Sequence, residues 1–347
     1  MKKLFLPVWA ALLSVCVSAA ELTVMEQGAL VKDGFHNAFP SITAYQGKLY
    51  MAHRKATGHR RYDGVTALYV SADNGKTFQK VREFSGNGDM RDPRLCIVEG
   101  KLVIYNGCGH PQKDGTHKYS LKAFRSSDGK NFEEFTVKGL AENSFFWGCV
   151  PFENGYIATS YRRVGDMFRS SLYYSTDGAN FTPYLTFPGS GNETSLCPGK
   201  DGKLYCIVRR EGGDCRPVYY VVKEKKIVKS VKLSEPLQGI MLTANGESFI
   251  VGARHWDWRD PVKFQGRKGV RLDLFTMDKA GKLKFQKNLK SAGDCSYSFA
   301  VPLSDKEFFI VYYSQHDYIE RFLKEKSKTP LTDKRPADIC FARVKSE

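Results

Sequence analysis

The segment Ser71-Ala-Asp-Asn-Gly-Lys-Thr-Phe78 is the strongest indication of the fold, because its pattern, Ser-x-Asp-x-Gly-x-x-aromatic, recurs along the chain. Shorter versions stand at Ser126-Ser-Asp-Gly-Lys-Asn-Phe132 and at Ser175-Thr-Asp-Gly-Ala-Asn-Phe181. Ser and Asp side chains suit hydrogen bonds to the amides of a tight turn, and Gly accepts a positive φ there. One copy would be weak evidence, whereas three copies at similar spacing indicate a repeated architecture.

The spacing of these segments predicts the number of repeated units. Asp73 and Asp128 are 55 residues apart, and Asp128 and Asp177 are 49 apart. A degenerate copy at Thr276-Met-Asp278 places its Asp 101 residues after Asp177, which is two periods. A period of roughly 50 residues gives about six four-stranded blades. We expect the blades near residues 36–85, 90–140, 144–188, 192–235, 237–290 and 294–345.

Between these segments the chain is a series of short β-strands. Runs such as Lys101-Leu-Val-Ile-Tyr105 and Phe308-Phe-Ile-Val-Tyr312 are rich in β-branched and aromatic residues, and turn residues precede them. Short strands at regular spacing also fit a sandwich or a jelly roll, but those folds do not repeat this turn. The sequence therefore predicts an all-β, six-bladed β-propeller, with a strand around Leu22 to Val31 closing the last blade.

The N-terminus has the form of a secretory signal peptide. Lys2 and Lys3 precede an apolar stretch, Leu4 to Val17, which ends in small residues. We predict removal of residues 1–20, which leaves residues 21–347 as a single propeller domain that is secreted or periplasmic. The apolar stretch is too short to cross a bilayer, and no later apolar run reaches about 18 residues, so no membrane span is expected.

Composition narrows the choice of partner. The net charge is +16, and removal of Lys2 and Lys3 leaves +14. Such an excess favours an acidic partner such as an anionic glycan, or serves solubility alone. The chain has no dense Lys/Arg block, so nucleic acid is not expected as a partner. The 7 His residues show no metal-ligand spacing, which predicts no catalytic metal and leaves a structural ion open. We expect no cofactor and a monomer.

The cysteines permit disulfides without requiring them. Of the 9 cysteines, the signal peptide holds one, and the even number that remains is compatible with pairing in a secreted chain. Cys197 and Cys206 flank a Pro-Gly-Lys-Asp-Gly turn. They are candidates to lie opposite each other across a hairpin.

The repeated segments resemble the Asp-box of the sialidase (neuraminidase) superfamily, whose members are propeller glycoside hydrolases. The resemblance covers nearly the whole mature chain. It implies a secreted, exo-acting, retaining hydrolase that removes a terminal acidic sugar from glycans. The anomeric carbon of such a sugar bears a carboxylate, which would repel an acidic nucleophile, and sialidases are exceptions to the usual pair of catalytic carboxylates.

The resemblance assigns three catalytic residues. In Arg60-Arg-Tyr-Asp63, Asp63 takes the place of the acid/base. Glu193 takes the place of the base, and Tyr297, in a small-Tyr-Ser segment, takes the place of the nucleophile. Arg209 ends the strand that follows the Glu193 strand. Because a hairpin puts the start of one strand beside the end of its partner, Glu193 and Arg209 are expected at the same end of a blade.

Arginines are expected to bind the substrate carboxylate. By resemblance, Arg209 and Arg271 fill two of these places. Arg254 competes with Arg271, and we favour Arg271 because it precedes the degenerate repeat.

One arginine of the family pattern is missing. Sialidases usually open their first blade with Arg-Ile-Pro, whereas this chain has Ala38 where that arginine would stand. Either His36 or Arg54 substitutes for it, or the substrate is not an ordinary sialic acid.

Two other functions remain open. One is a hydrolase or lyase acting on a uronic-acid polysaccharide, because Tyr and His at a propeller mouth can abstract a proton beside a carboxylate. His36, His53 and His59 all lie in the first predicted blade. The other is a non-catalytic glycan-binding propeller, because a fold alone does not guarantee activity.

Overall fold

The computed structural model describes residues 20–113, 117–256, 263–264, 267–319 and 335–347. The described chain forms six four-stranded antiparallel sheets arranged as a six-bladed β-propeller, as the repeats predict. The predicted signal peptide falls on residues of which all but the last lie outside the described part of the chain. In the part that is described, no helix is long and apolar enough to cross a membrane.

Each of the first three blades is a meander of consecutive strands. Blade 1 comprises β2 (His36–Tyr45), β3 (Lys48–Ala56), β4 (Val65–Ser71) and β5 (Gln79–Phe84). Blade 2 comprises β6 (Asp89–Val98), β7 (Lys101–Pro111), β8 (His117–Ser126) and β9 (Glu133–Phe135). Blade 3 comprises β10 (Phe145–Phe152), β11 (Gly155–Val164), β12 (Met167–Ser175) and β13 (Thr182–Thr186).

The remaining blades contain one insertion and the closure of the ring. Blade 4 comprises β14 (Thr194–Pro198), β15 (Leu204–Val208), β16 (Val218–Lys223) and β17 (Lys226–Lys232). Blade 5 comprises β18 (Gln238–Asn245), β19 (Ser248–Trp256), β22 (Val270–Met277) and β23 (Leu283–Leu289), with the short pair β20 (Lys263–Phe264) and β21 (Arg267–Lys268) inserted. Blade 6 comprises β24 (Ser296–Pro302), β25 (Glu307–Ser314), β26 (Asp338–Ser346) and β1 (Leu22–Val31).

The first strand of every blade lies nearest the central axis, because these strands contact the first strands of the neighbouring blades. Apolar clusters fill the gaps between successive blades; Ile104 and Leu68, for example, belong to the cluster between blades 1 and 2. The N-terminal strand pairs with β26 from Leu22 opposite Ser346 to Val31 opposite Ile339, so the two ends of the chain complete one sheet. The predicted closure of the last blade is confirmed.

The repeated segments form turns between the third and fourth strands of blades 1 to 3, which we call the repeat turns (residues 71–78, 126–132 and 175–181). In the first of them, the Ser71 hydroxyl donates to Asp73 Oδ1 at 2.7 Å and accepts from the amide of Gly75 at 2.8 Å. Gly75 has φ +83°, and a Cβ there would lie 2.6 Å from the Phe309 ring of the preceding blade. The turn therefore requires glycine, and it packs one blade against the next.

The suggested Cys197–Cys206 hairpin pair is wrong. Cys206 lies opposite Leu196, and Cys197 lies opposite Tyr205. Because successive side chains of a strand point to opposite faces, this one-residue offset places the two sulfurs on opposite sides of blade 4. The eight cysteines of the described residues are all buried.

Candidate active site

The innermost strands of five blades contain a β-bulge, and those of blades 1, 2, 5 and 6 share one form, in which two residues lie opposite a single residue of the partner strand. The bulged residue has a positive φ in each of these four blades, and these residues are Phe39 (56°), Asp92 (53°), Gly239 (55°) and Tyr297 (48°). A bulge bends its strand and re-aims a side chain. The left-handed conformation of a bulky residue such as Tyr297 costs free energy and persists only where its surroundings enforce it, which is characteristic of functional sites.

The bulges bring aromatic rings together at the axis. The centroid of the Tyr297 ring lies 5.2 Å from that of Phe39 and 5.5 Å from that of Trp147, both edge to face. Past the bulges, the inner strands line a central cavity of about 220 Å³ whose walls are largely apolar. Arg94 lines this cavity, whereas Glu193, Arg209 and Asp294 lie at the end of the inner strands before the bulges, which we call the mouth.

Tyr297 and Glu193 form a buried pair at the mouth. The Tyr297 hydroxyl donates to Glu193 Oε1 at 2.8 Å, so the hydrogen bond expected between these two residues is present. Arg209 Nη1 donates to the same carboxylate oxygen, and the backbone amide of Arg209 donates to the Glu193 carbonyl. The hairpin of blade 4 thus places Glu193 and Arg209 at one end, as the sequence predicts.

Burial dominates the electrostatics of this pair. Desolvation raises the pKa of Glu193 above its ordinary value, although Arg209 and the Tyr297 hydroxyl pull it down. Desolvation, and next the charge of Glu193, raise the pKa of Tyr297. A carboxylate with a raised pKa is a stronger base, and it sits within hydrogen-bond distance of the one proton that Tyr297 would have to lose.

Arg254, not Arg271, lies in this cluster. The Arg254 guanidinium carbon lies 5.6 Å from the centroid of the Tyr297 ring, and its Nη1 lies 3.9 Å from Asp294 Oδ1. Arg271 stands on the third strand of blade 5, opposite His255, and its Nε donates to Asp273 Oδ1 at 2.9 Å. The preference for Arg271 is therefore wrong on geometry. Successive residues of a strand point to opposite faces of the sheet, so Arg254 and His255 lie on opposite faces. Arg271 pairs with His255 and shares its face, which is the face opposite to that of Arg254.

Asp63 lies in the loop between β3 and β4 and is exposed. The amide and hydroxyl of Thr57 both donate to its carboxylate, the hydroxyl at 2.6 Å. Partial burial alone would raise the pKa of Asp63, but the hydrogen bonds from Thr57 outweigh burial and lower it. In this state Asp63 is a carboxylate. Catalysis as an acid would require a bound sugar to shield it from water and raise its pKa.

Arg54 does not replace the missing arginine. Its side chain is fully buried, Nε donates to Asp89 Oδ1 at 2.8 Å, and two further donors bind the carbonyls of Gly58 and Arg61. Because these donors bind acceptors inside the protein, the Arg54 guanidinium stabilises the loop of residues 57–63 and does not face a substrate. Ala38 is itself completely buried.

His36 does not reach a substrate directly either. It is buried, and its Nε2 lies 3.0 Å from Asp294 Oδ2. The Nδ1 of His59 lies 2.5 Å from the same oxygen, and the Tyr313 hydroxyl donates to Asp294 Oδ1 at 2.7 Å. Burial lowers the pKa of His36, which favours its neutral form. Burial would raise the pKa of Asp294, but His59 and His36 hold it well below the ordinary range.

Sequence reasoning missed Asp294 and the segment Arg91-Asp-Pro-Arg94, and it named His59 only as one of three histidines in the first blade. Arg94 is buried between the Trp147 and Phe299 rings, and its Nε donates to the Trp147 carbonyl. The available signal was the parallel between Phe39-Pro40 and Asp92-Pro93, because a proline directly follows the bulge in both blades. For Asp294 and His59 the sequence carries no comparable local signal.

Comparisons with known proteins support the architecture. No protein-family model matches the sequence, and no curated protein matches it significantly. Among solved structures, a protein of unknown function from Dyadobacter fermentans aligns with TM-score 0.73 and 15% identity over 94% of this chain and 100% of its own.

Two solved sialidases share the fold at low identity. Trypanosoma rangeli sialidase in complex with the inhibitor DANA aligns with TM-score 0.62 and 15% identity over 90% of this chain, which spans 55% of that protein. Phage phi92 endosialidase aligns with TM-score 0.64 and 9% identity over 94% of this chain and 69% of its own. At these identities the similarity establishes the fold alone.

Proposed function

We propose that this protein is a secreted, exo-acting glycoside hydrolase of the sialidase type, which removes a terminal acidic sugar from glycans with retention of configuration. The observation that carries the proposal is the hydrogen bond of the Tyr297 hydroxyl to Glu193 at the mouth, with the guanidinium groups of Arg209 and Arg254 beside it.

The geometry suits attack by a phenol. A sugar with a carboxylate on its anomeric carbon would repel an anionic nucleophile, whereas the neutral Tyr297 hydroxyl approaches without repulsion. Glu193 accepts the phenolic proton as the oxygen attacks, because its raised pKa makes it a competent base. The nucleophile stays uncharged until the bond to the sugar begins to form.

Two arginines anchor the sugar carboxylate. Guanidinium groups bind carboxylates through paired, charge-assisted hydrogen bonds. Arg254 suits this role because its nearest acidic oxygen, on Asp294, lies 3.9 Å away and leaves donors available. Arg209 forms ion pairs with Glu193 and Glu211, and through the first of these it positions the base. Its guanidinium is also the second anchor for the sugar carboxylate. Asp63 is assigned the proton transfer at the glycosidic oxygen.

The proposal is tested with purified protein and a panel of aryl glycosides. The panel contains an α-linked sialic acid, a uronic acid and neutral sugars. We expect release of the aryl group from the acidic substrates only. A 3-fluoro glycosyl fluoride of the accepted sugar should label Tyr297, which peptide mass spectrometry would locate.

Other outcomes would replace the proposal. An unsaturated, ultraviolet-absorbing product from a uronic-acid polysaccharide would identify a lyase. Glycan binding that survives Tyr297→Phe, with no turnover of any substrate by the unmodified protein, would identify a binding module.

A further inference from the structure

Three side chains from distant parts of the chain converge on one side of the mouth. His36 opens β2, His59 lies in the loop after β3, and Asp294 directly precedes the last blade. Their candidate ligand atoms all lie within 4.8 Å of one another. The side chains of His36 and Asp294 are fully buried, whereas that of His59 is 19% exposed, so the group opens to solvent on the His59 side.

We propose that His36 Nε2, His59 Nδ1 and Asp294 Oδ2 bind a divalent transition metal ion of the Zn²⁺ type. Two imidazoles and one carboxylate form a common three-ligand set for such ions, with a fourth position left for water or substrate. In a tetrahedral site, ligand distances of about 2.0–2.2 Å place donor atoms roughly 3.3–3.6 Å apart. The imidazole nitrogens already lie 3.0 and 2.5 Å from Asp294 Oδ2, so a small outward movement of the rings makes room for the ion.

The surrounding contacts orient the ligands. The Tyr313 hydroxyl donates to Asp294 Oδ1 at 2.7 Å, which leaves Oδ2 directed at the two imidazoles. The Asp294 amide donates to Gln315 Oε1 at 3.0 Å and fixes the backbone. The His59 ring meets the Phe39 ring edge to face at 5.4 Å, which restricts its rotation. Hydrogen bonds and packing of this kind fix ligand geometry in metal sites.

The site would complete the binding of an acidic sugar, and this part of the inference rests on the proposed function. Positive charge at the mouth comes from Arg209 and from Arg254, whose Nη1 lies 3.9 Å from Asp294 Oδ1, whereas Ala38 contributes none on the blade 1 side. A divalent ion bound to one carboxylate carries a net charge of +1. That equals the charge of a guanidinium, and the open ligand position would accept a carboxylate or hydroxyl oxygen of the substrate.

The first test measures metal binding without substrate. Full-length protein treated with a chelator is titrated with ZnCl₂ by calorimetry, and Co²⁺ is added separately to record its visible d–d bands. We expect one ion per chain, and at least 100-fold weaker binding together with loss of the Co²⁺ bands in His59→Ala. Asp294→Asn is a second variant, checked by its circular dichroism because the residue is buried.

His255→Ala is the matched control. His255 also contacts two carboxylates, with Nδ1 2.8 Å from Asp273 Oδ2 and Nε2 3.3 Å from Glu235, but lies in blade 5. Metal affinity should be unchanged in this variant. No binding of Zn²⁺ or Co²⁺, or binding that His59→Ala leaves intact, would overturn the site.

A second measurement separates the metal site from the proposed function. If the metal-free and metal-loaded proteins release the acidic sugar equally well, the role in substrate binding is wrong and the glycosidase stands. If the ion binds as expected and no glycoside is turned over by either form, the metal site stands and the glycosidase fails.

Discussion

The repeat turns at the rim and the residues at the mouth are built in opposite ways. In the first repeat turn the side-chain hydrogen bonds of Ser71 and Asp73 stay within a few residues, and related bonds recur around Ser126 and Ser175. At the mouth, the Tyr297–Glu193 bond joins residues 104 positions apart, and His36 and Asp294 are 258 apart. Changes at the rim should therefore reduce stability, and changes at the mouth should reduce catalysis.

The largest expected effect is at Tyr297. Tyr297→Phe removes the attacking oxygen with little change in packing, so kcat should fall by about 10³-fold or more, and loss of the hydrogen bond to Glu193 should cost about 1 kcal/mol of stability. Tyr105→Phe is the control, because that equally buried hydroxyl donates to the Gly178 carbonyl of a repeat turn at 2.7 Å. It should lower stability by about 1 kcal/mol and leave kcat unchanged. A large loss of kcat in Tyr105→Phe, with kcat retained in Tyr297→Phe, would refute the division between rim and mouth.

The loss of turnover on replacing Asp63 should depend on how readily the leaving group departs without a proton. Asp63→Asn should reduce turnover of a natural glycan by about 10²-fold, because the poor leaving group needs a proton. An aryl glycoside with an acidic phenol needs less assistance and should lose less than about 10-fold. Parallel steady-state kinetics on the two substrates provide the check. Equal losses on both would mean that Asp63 is not the proton donor.

Single substitutions distinguish whether Arg254 or Arg271 binds the sugar carboxylate. Arg254→Ala removes a charge-assisted contact with the sugar carboxylate, so kcat/KM for an acidic aryl glycoside should fall by about 10- to 100-fold. Arg271→Ala should leave kcat/KM within about 2-fold, because Arg271 binds Asp273 on a different face of blade 5. A larger loss in Arg271→Ala than in Arg254→Ala would contradict the geometry of the mouth.

The pH profile should report the raised pKa of Glu193. Glu193 must be deprotonated to act as the base, so activity should rise as pH increases through its pKa. Because burial raises that pKa, the acidic limb of kcat/KM should have its midpoint above the ordinary value of 4.5. The residual activity of Glu193→Gln should lack this limb. A midpoint at or below 4.5 in the unmodified enzyme would argue against Glu193 as the base.

The smallest effect is expected at the rim. Ser71→Ala removes a buried acceptor from the Gly75 amide and a donor to Asp73. The free energy of unfolding should fall by about 1 kcal/mol, which corresponds to a few degrees in melting temperature for a domain of this size. Calorimetry measures the loss, and kcat should be unaffected. An altered kcat would show that the repeat turns are coupled to the mouth.

The repeat, the all-β class, the six blades and the hairpin that joins Glu193 to Arg209 could all be predicted from local sequence patterns. Each of these follows from interactions between residues close in the chain. Turn residues bond their own loop amides, and alternating side chains define a strand without reference to the rest of the fold. A short stretch of sequence is therefore enough to predict each of them.

Which side chains meet at the mouth depends on contacts between residues far apart in the chain. Arg254 and Arg271 differ by strand and by face, and a one-residue offset likewise separated Cys197 from Cys206. His59 and Asp294 meet because the last blade closes against the first, and the bulge at Tyr297 shifts the register of its strand. A register shift of one residue moves every later side chain of that strand to the other face of the sheet. The mouth combines side chains from several blades, each with its own register, so no local pattern specifies which of them meet.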